Sequence, residues 1–514
     1  WSLGVEEQFY VLAPLFLMLL VKVPESLRRG AFLALLAAAI GLSIYLTDRD
    51  PDRAFYLLQT RAFELMIGMA LALKCAPVLA SRGLREVATL AGLGACALAF
   101  LVYDANVSFP GPAALLPCLG AALIIHGGSA APFAATIVGT LLSSAPFTFL
   151  GRISYSLYLW HWPILVFGQY ASPEPLGGGQ RALLVALAAA VSVLSYYAIE
   201  QPVRTVRVVF TRARVFGGAL ALGVTLSALC LLVIHTDGLK HRLSAETQVF
   251  DRRVTEIARE KRACKRVEGI PAGKRACGLG VDGPPRFLVW GDSHAGSLYG
   301  EFDRAAQVAG TTGLIVTRGG CAPLLVEADH PALHKRKCTD NRRVVLDALS
   351  ASKSIDAVIL VARWKNYAGE GPLGGKQVDL FRQSLLSTIQ DLSGRGVRII
   401  VIGPIPEPGI DLPSAMIKEK MGLGTVRLDD NVARFNREQA AVITVLDQVK
   451  TINGVLVLAP SDDLCDTATC ATIADGLPLY RDDNHLNSLG SQRLEALVSS
   501  AIAKATTRQP NRDP

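Results

Sequence analysis

The sequence predicts two unlike domains: a multi-span α-helical membrane domain, followed by a three-layer α/β domain with a parallel sheet. Hydrophobic residues make up 51% of the 514. They are far denser before about residue 235 than after it, and fall there into runs near bilayer-crossing length. Beyond that point, short β-branched apolar runs alternate with helical stretches, the rhythm of βα units. A polar, charge-mixed segment from Thr236 to Pro284 marks the change between the two regimes.

The runs Phe9 to Val23, Ala31 to Leu46, Ala62 to Ala80, Val87 to Val102 and Leu183 to Ile199 read as spans, with weaker ones at Ala113 to Ile125 and Ile153 to Phe167. With Val215 to Ile234 they make about eight spans. Arg204, Arg207, Arg212 and Arg214 precede that last span. Positive flanks stay cytoplasmic, so the span runs outward and everything after about His235 lies beyond the membrane. The net charge of +8 belongs to such flanks, and nucleic acid is not an expected partner. The chain opens with Trp1, inside what already reads as a helix, so upstream spans are expected.

Four of the ten cysteines, Cys75, Cys96, Cys118 and Cys230, lie in or beside spans and read as small buried apolar residues. The other six form three sequence-near pairs after the last span: Cys264 with Cys277, Cys321 with Cys338, and Cys465 with Cys470. An even number in an exported domain favours disulfides. Zinc is the rival reading, but the Cys465/Cys470 spacing has no matching His or second close pair, and no metal is expected.

Strands are expected at Phe287 to Trp290, Leu314 to Val316, Ala357 to Val361, Val397 to Ile402 and Val455 to Leu458, short and apolar as buried parallel strands are. Helices are expected at Asn341 to Ala351, Leu380 to Leu392, Asp430 to Val449 and Leu489 to Ala505. The expected division is a membrane domain over 1–235, a disulfide-stapled extension over 236–283, the α/β domain over 284–506 and a polar tail over 507–514.

The run FLVW leads directly into Gly291, Asp292, Ser293 and His294. In an α/β sheet, catalytic groups collect at the carboxyl ends of strands, and a serine there sits on a strand-to-helix turn. Asp and Ser are also good helix caps, which is the competing reading. Near the domain's other end come Asp482, Asp483, Asn484 and His485. The three-residue spacing lets the Asp482 carboxylate reach the His485 imidazole, leaving Nε2 to take a proton from a serine.

GDSH and Asp-x-x-His resemble the first and last blocks of the SGNH hydrolase superfamily. The resemblance implies an SGNH-like α/β domain with Ser293 as nucleophile, His485 as general base and Asp482 as its orienting partner. The family's oxyanion glycine corresponds to Gly319 or Gly320 in TRGGCAPL. Its Asn block is replaced by VARWKNY, where Arg363, Trp364 and Asn366 are candidates.

The first half resembles acyltransferase family 3 through WSLGVEEQFY, RAFELMIGMAL, FPGPAALLPCLGAALI, GRISYSLYLWHWPIL and SYYAIEQPVR, in that order. That family moves acyl groups across membranes for O-acylation of sugars, and its fusion to an SGNH domain occurs in O-antigen and peptidoglycan O-acetylases. Its membrane histidine lies upstream of the WSL segment. Glu6, Glu7, Arg61, Glu64 and His161 are ionisable groups within spans, costly there and therefore candidate functional residues. Arg61, Glu64 and Gly68 share one helix face, where a structural ion pair is the alternative. His161 lies between Trp160 and Trp162, as in an interfacial aromatic belt.

Together these imply a multi-pass bacterial inner-membrane O-acyltransferase with its C-terminal domain in the periplasm. The expected donor is acyl-CoA, acetyl-CoA first among such donors, with no bound cofactor. The acceptor is a cell-envelope polysaccharide: lipopolysaccharide O-antigen, peptidoglycan or exopolysaccharide. An envelope esterase and a non-catalytic glycan-binding transporter or sensor are the alternatives.

Overall fold

The computed structural model describes residues 2–104, 107–129, 136–172, 176–205, 212–258, 276–325, 336–369, 375–428 and 432–507. It divides into two compact units, Trp1–Tyr155 and Ser156–Pro514. The division falls inside the helix Ala145–Ala171, whereas the change from apolar helices to sheet comes only after His235.

In the first unit the apolar runs form the helices Ser2–Val21, Glu25–Arg49, Leu58–Ala72, Arg82–Val102 and Leu115–Gly127. Ser81 starts the fourth, its hydroxyl accepting from the Leu84 N–H at 3.2 Å. Small residues let the last two cross closely. A Cβ on Gly92 would come within 2.5 Å of the Gly120 carbonyl, and one on Gly120 within 2.8 Å of the Gly92 carbonyl. Close backbone approach of this kind is how helices associate in lipid, where apolar burial gives no driving force.

Among the described residues, five helices are both long and apolar enough to cross a membrane: Ser2–Val21, Glu25–Arg49, Arg82–Val102, Gly178–Arg204 and Phe216–His235. Five of the eight expected spans fall on these helices; the other three fall on helices that do not meet that standard. Leu58–Ala72 has 15 residues and Leu115–Gly127 has 13, about 20 Å of helix against a hydrocarbon core of about 30 Å. The helix Ala145–Ala171 is long enough but is diluted by Arg152, Ser154, Ser156, His161 and Gln169. The run read as extending to Ala80 stops being helical at Ala72, because Lys74 takes a φ of 55° and Pro77 follows.

The C-terminal part is built on strands β1 (Ala276–Gly280), β2 (Phe287–Gly291), β3 (Thr312–Thr317), β4 (Ala357–Val361), β5 (Arg398–Ile402) and β6 (Val455–Leu458). Their order is β1-β3-β2-β4-β5-β6, with β1 antiparallel and the other neighbours parallel. Side chains of β2 alternate between the faces. Phe287 and Val289 enter one core with the helices Tyr299–Val308 and Glu495–Thr506, while Leu288 and Trp290 enter the other with Lys376–Gly394 and Val432–Val449. Three layers result, as expected.

Strand β1 is a departure, since Ala276–Gly280 falls in the expected extension. ACGLG has no β-branched residue to announce a strand; it becomes one by pairing with β3, Ala276 opposite Val316 and Gly280 opposite Thr312. The C-terminal helix is also divided, into Ser488–Gln492 and Glu495–Thr506.

Two expected disulfides are formed, Cys321–Cys338 and Cys465–Cys470. The expected pairing of Cys264 with Cys277 lies outside the described residues, because Cys264 does. Cys75, Cys96, Cys118 and Cys230 are free thiols. The Cys321–Cys338 bridge ties down the turn that follows β3. Replacing both cysteines by serine is expected to lower stability by about 3 kcal/mol, the loop-closure value for a loop of this size. Thermal unfolding of the double variant checks it, and an unchanged melting temperature would count against a stabilising role.

Candidate active site

The order β3-β2-β4 means that the chain leaves β2 to one side and returns on the other. Doubly wound sheets bind ligands at such a switch point, outside the strands' carboxyl ends. Gly291 ends β2 opposite Thr317 of β3 and Val361 of β4. A Cβ at Gly291 would sit 1.9 Å from the Val361 carbonyl oxygen and 2.6 Å from the Ala295 Cβ. Only glycine lets the helix Ser293–Ser297 start this close to the sheet.

Asp292 caps that helix, its Oδ1 accepting from the His294 N–H at 2.8 Å. Its Oδ2 accepts from the Arg363 N–H at 3.0 Å and from the Tyr367 hydroxyl at 2.8 Å. Burial, reinforced by the Asp292 charge, pushes the Tyr367 phenol far above its ordinary value, so it remains a donor. The capping role weighed for this motif belongs to Asp292, which leaves the Ser293 hydroxyl uncommitted to it.

Ser293 Oγ lies 2.8 Å from His485 Nε2, and His485 Nδ1 lies 2.8 Å from Asp482 Oδ2. The other carboxylate oxygen accepts from the backbone N–H groups of Asn484 at 3.0 Å and His485 at 2.7 Å. Burial pushes the Asp482 pKa up, but the bonds from the His485 ring and those two N–H groups outweigh it and hold the carboxyl well below its usual range. An ionised Asp482 requires a proton on His485 Nδ1, so Nε2 presents its lone pair to the serine hydroxyl. Such a relay can activate the hydroxyl for attack on an acyl carbon.

A second network backs the first. Glu407 binds Arg363 through both oxygens, at 2.8 and 2.6 Å, and Lys365 at 2.9 Å. Burial raises the Glu407 pKa, yet its bonds to Arg363 and Lys365 prevail and keep it ionised. Tyr480 donates to the Pro406 carbonyl at 2.5 Å, and the Gly409 N–H to the Asp483 carbonyl at 3.3 Å. The segment after β5 therefore braces both Arg363 and the loop carrying His485.

The oxyanion candidates lie at the same sheet end. Gly319 and Gly320 follow Arg318, whose N–H donates to the Gly291 carbonyl at 3.1 Å, and both are exposed. Asn366 is exposed on the short helix Lys365–Ala368. Trp364 is a core residue instead, fully buried with its indole N–H on the Ile402 carbonyl at 2.8 Å, which removes it from the candidates. The motifs gave no role to His294, Tyr367, Glu407 or Asn484, and gave Asp292 only the competing role of a helix cap.

Of the membrane candidates, Arg61 and Glu64 form a two-point ion pair at 2.9 Å each, with side chains 15% and 16% exposed. His161 Nδ1 lies 3.0 Å from the Leu157 carbonyl, and its ring packs on Tyr158. Glu7 is exposed and Glu6 partly so. Among the described residues, no three His, Cys, Asp or Glu side chains converge as a metal site.

Residues 1–200 match the family described as "Acyltransferase domain", and residues 263–500 the family described as "SGNH domain (fused to AT3 domains)". The chain joins an acyltransferase domain to an SGNH domain. It is 32% identical over 220 residues to the peptidoglycan O-acetyltransferase OatA of Listeria monocytogenes, covering 40% of this chain and 34% of that one. It is 28% identical over 216 residues to the O-acetyltransferase OatA of Staphylococcus aureus, covering 40% and 35%. The match thus spans about a third of the length of these relatives. The lipopolysaccharide acetyltransferase periplasmic domain of Salmonella ser. Paratyphi A is similar at 18% identity and a TM-score of 0.34, over 51% of this chain and 99% of that one.

Within the SGNH domain, the depressed Asp482 pKa gives a signed expectation. A folded-state pKa below the unfolded one means that ionised Asp482 favours folding; its contribution is full above about pH 4 and is lost as pH falls through the folded value. Asp482→Asn should therefore melt below wild type at neutral pH, with the gap closing on acidification. Melting curves across the acid range check this, and a gap undiminished at low pH would contradict it.

Proposed function

We propose that this protein is an O-acyltransferase of the bacterial inner membrane that carries an acyl group, in the first place acetyl, from cytoplasmic acyl-CoA to hydroxyls of a cell-envelope polysaccharide. The hydrogen-bonded series Ser293–His485–Asp482, at the sheet's switch point in a chain that also holds an acyltransferase membrane domain, carries this reading. The relatives named as peptidoglycan O-acetyltransferases support peptidoglycan among the acceptors. In this reading the SGNH domain faces the periplasm, as the arginines before the last span imply.

In the proposed reaction Ser293 Oγ bonds to the acyl carbonyl carbon while His485 Nε2 takes the hydroxyl proton. The carbonyl oxygen becomes an oxyanion that accepts from the Ser293 N–H and a second donor among Gly319, Gly320 and Asn366. The leaving group departs with the proton from His485, giving an acyl-serine. A sugar hydroxyl then gives its proton to His485 and attacks, and His485 returns that proton to Ser293 as the sugar ester leaves. Asp482 holds the imidazole's tautomer and offsets its transient charge. Glu6, Glu7, Arg61, Glu64 and His161 are the membrane-domain candidates for the path by which the acyl group arrives.

Two experiments test this reading. Ser293→Ala should abolish O-acylation of the native glycan while the protein remains folded and inserted, because the hydroxyl is the proposed acyl acceptor and its loss removes few contacts. Near wild-type glycan acylation by this variant, read by mass analysis of envelope polysaccharide, would sink the assignment. The separate segment 236–514 should hydrolyse an activated acyl ester in a Ser293-dependent way, yet fail to transfer from acyl-CoA. Efficient glycan acylation from acyl-CoA by that segment would show that the membrane domain is not the donor route.

A further inference from the structure

The two motifs that meet at Ser293 and His485 meet again one residue away. His294 Nε2 lies 3.0 Å from Asn484 Oδ1, and the His294 ring packs 5.1 Å from that of His485. Both partners are buried, His294 being 1% and Asn484 6% exposed. The far end of the asparagine sets the direction of this bond. Asn484 Nδ2 donates to Asp483 Oδ1 at 2.6 Å, so the amide oxygen faces the histidine, and His294 must carry its proton on Nε2.

His294 Nδ1 is buried with no hydrogen-bond partner among the described residues. A second proton there would find no acceptor, so the ring stays neutral. Burial lowers its pKa, against the carboxylates of Asp292 and Glu407 and together with the neighbouring His485. Asn484 is anchored at both ends, since its backbone N–H donates to Asp482 Oδ1 at 3.0 Å. One asparagine therefore links the carboxylate that orients His485 to the helix that carries Ser293.

We propose that His294 is a positioning residue for the reaction at Ser293: its Nε2–H, bonded to Asn484, clasps the loop bearing His485 onto the helix Ser293–Ser297 and so sets the serine-to-imidazole distance. This rests on the reading of Ser293 as nucleophile and His485 as its base. The Ser293–His485 bond joins residues 192 apart in sequence, through two side chains that rotate about χ1. A second buried bond one residue away removes that freedom before substrate arrives. A misplacement of about 1 Å in such a pair costs about 10²-fold in rate.

The test is turnover of an activated acetyl ester by the whole chain in detergent, with kcat and KM measured separately and folding checked by thermal unfolding. His294→Leu keeps the bulk and loses the donor; kcat should fall about 10²-fold with KM nearly unchanged. His294→Gln places an amide N–H near the position of imidazole Nε2 and should recover most of the loss, whereas His294→Asn, one bond shorter, should not. Asn484→Leu should match His294→Leu, and the double variant should be no slower than either, since both remove the same bond. A folded His294→Leu with wild-type kcat, equal rates for Gln and Asn, or losses that multiply in the double variant would each overturn the clasp. Where His294→Leu does not fold, the Gln and Asn comparison decides alone. Ser293→Ala in the same assay separates the two ideas. Turnover surviving there removes the nucleophile reading, whereas turnover lost there but kept in His294→Leu removes only the clasp.

Discussion

The buried carboxylate of Asp292 is the constraint on which the site depends. A carboxyl group at 2% exposure is tolerated only when its oxygens are satisfied, and here three donors do so: the His294 N–H, the Arg363 N–H and the Tyr367 hydroxyl. Two of them come from the segment after β4. The carboxylate therefore both starts the helix of Ser293 and ties the ends of β2 and β4 together across the switch point. Glu407 extends the series by holding the Arg363 side chain from the segment after β5. Three successive strand ends are thus joined by charge-assisted bonds, the strong class of hydrogen bond.

Within each short motif the neighbouring residues divide the labour. In Gly-Asp-Ser-His, the glycine permits close approach to β4, the aspartate caps, the serine hydroxyl faces His485, and the histidine turns inward to Asn484. In Asp-Asp-Asn-His, Asp482 gathers one ring N–H and two backbone N–H groups, while the Asp483 carbonyl accepts from Gly409. The loop geometry is therefore set by bonds within four residues, and its placement by bonds to distant ones. That arrangement suits a site whose reacting groups must be aligned before substrate binds.

The first unit follows different physics. Apolar side chains outside lipid-excluded contacts gain nothing from meeting one another in a bilayer, so shape at small residues governs helix crossing. Gly92 and Gly120 show this in the close crossing of Arg82–Val102 and Leu115–Gly127. Arg61 and Glu64 lie one turn apart and neutralise each other, which reduces the cost of charge among apolar helices.

Local pattern in the sequence determined much of this protein. Dense apolar runs mark the helices, and β-branched runs mark β2 to β6, because each depends on periodicity over a few residues. The Asp482 to His485 bond was legible for the same reason, since a three-residue spacing places both groups on one turn. The strand β1 was not legible, for ACGLG becomes a strand only when β3 is beside it. Nor were Tyr367, Glu407 and the contact of His294 with Asn484, which join residues between 44 and 190 positions apart. Tertiary structure alone decided those, because no local rule specifies which strand ends the parallel crossovers bring together. It also decided that Trp364, a site candidate by motif position, belongs to the core: the indole's large apolar surface and single donor are both satisfied between β5 and the helix Lys376–Gly394.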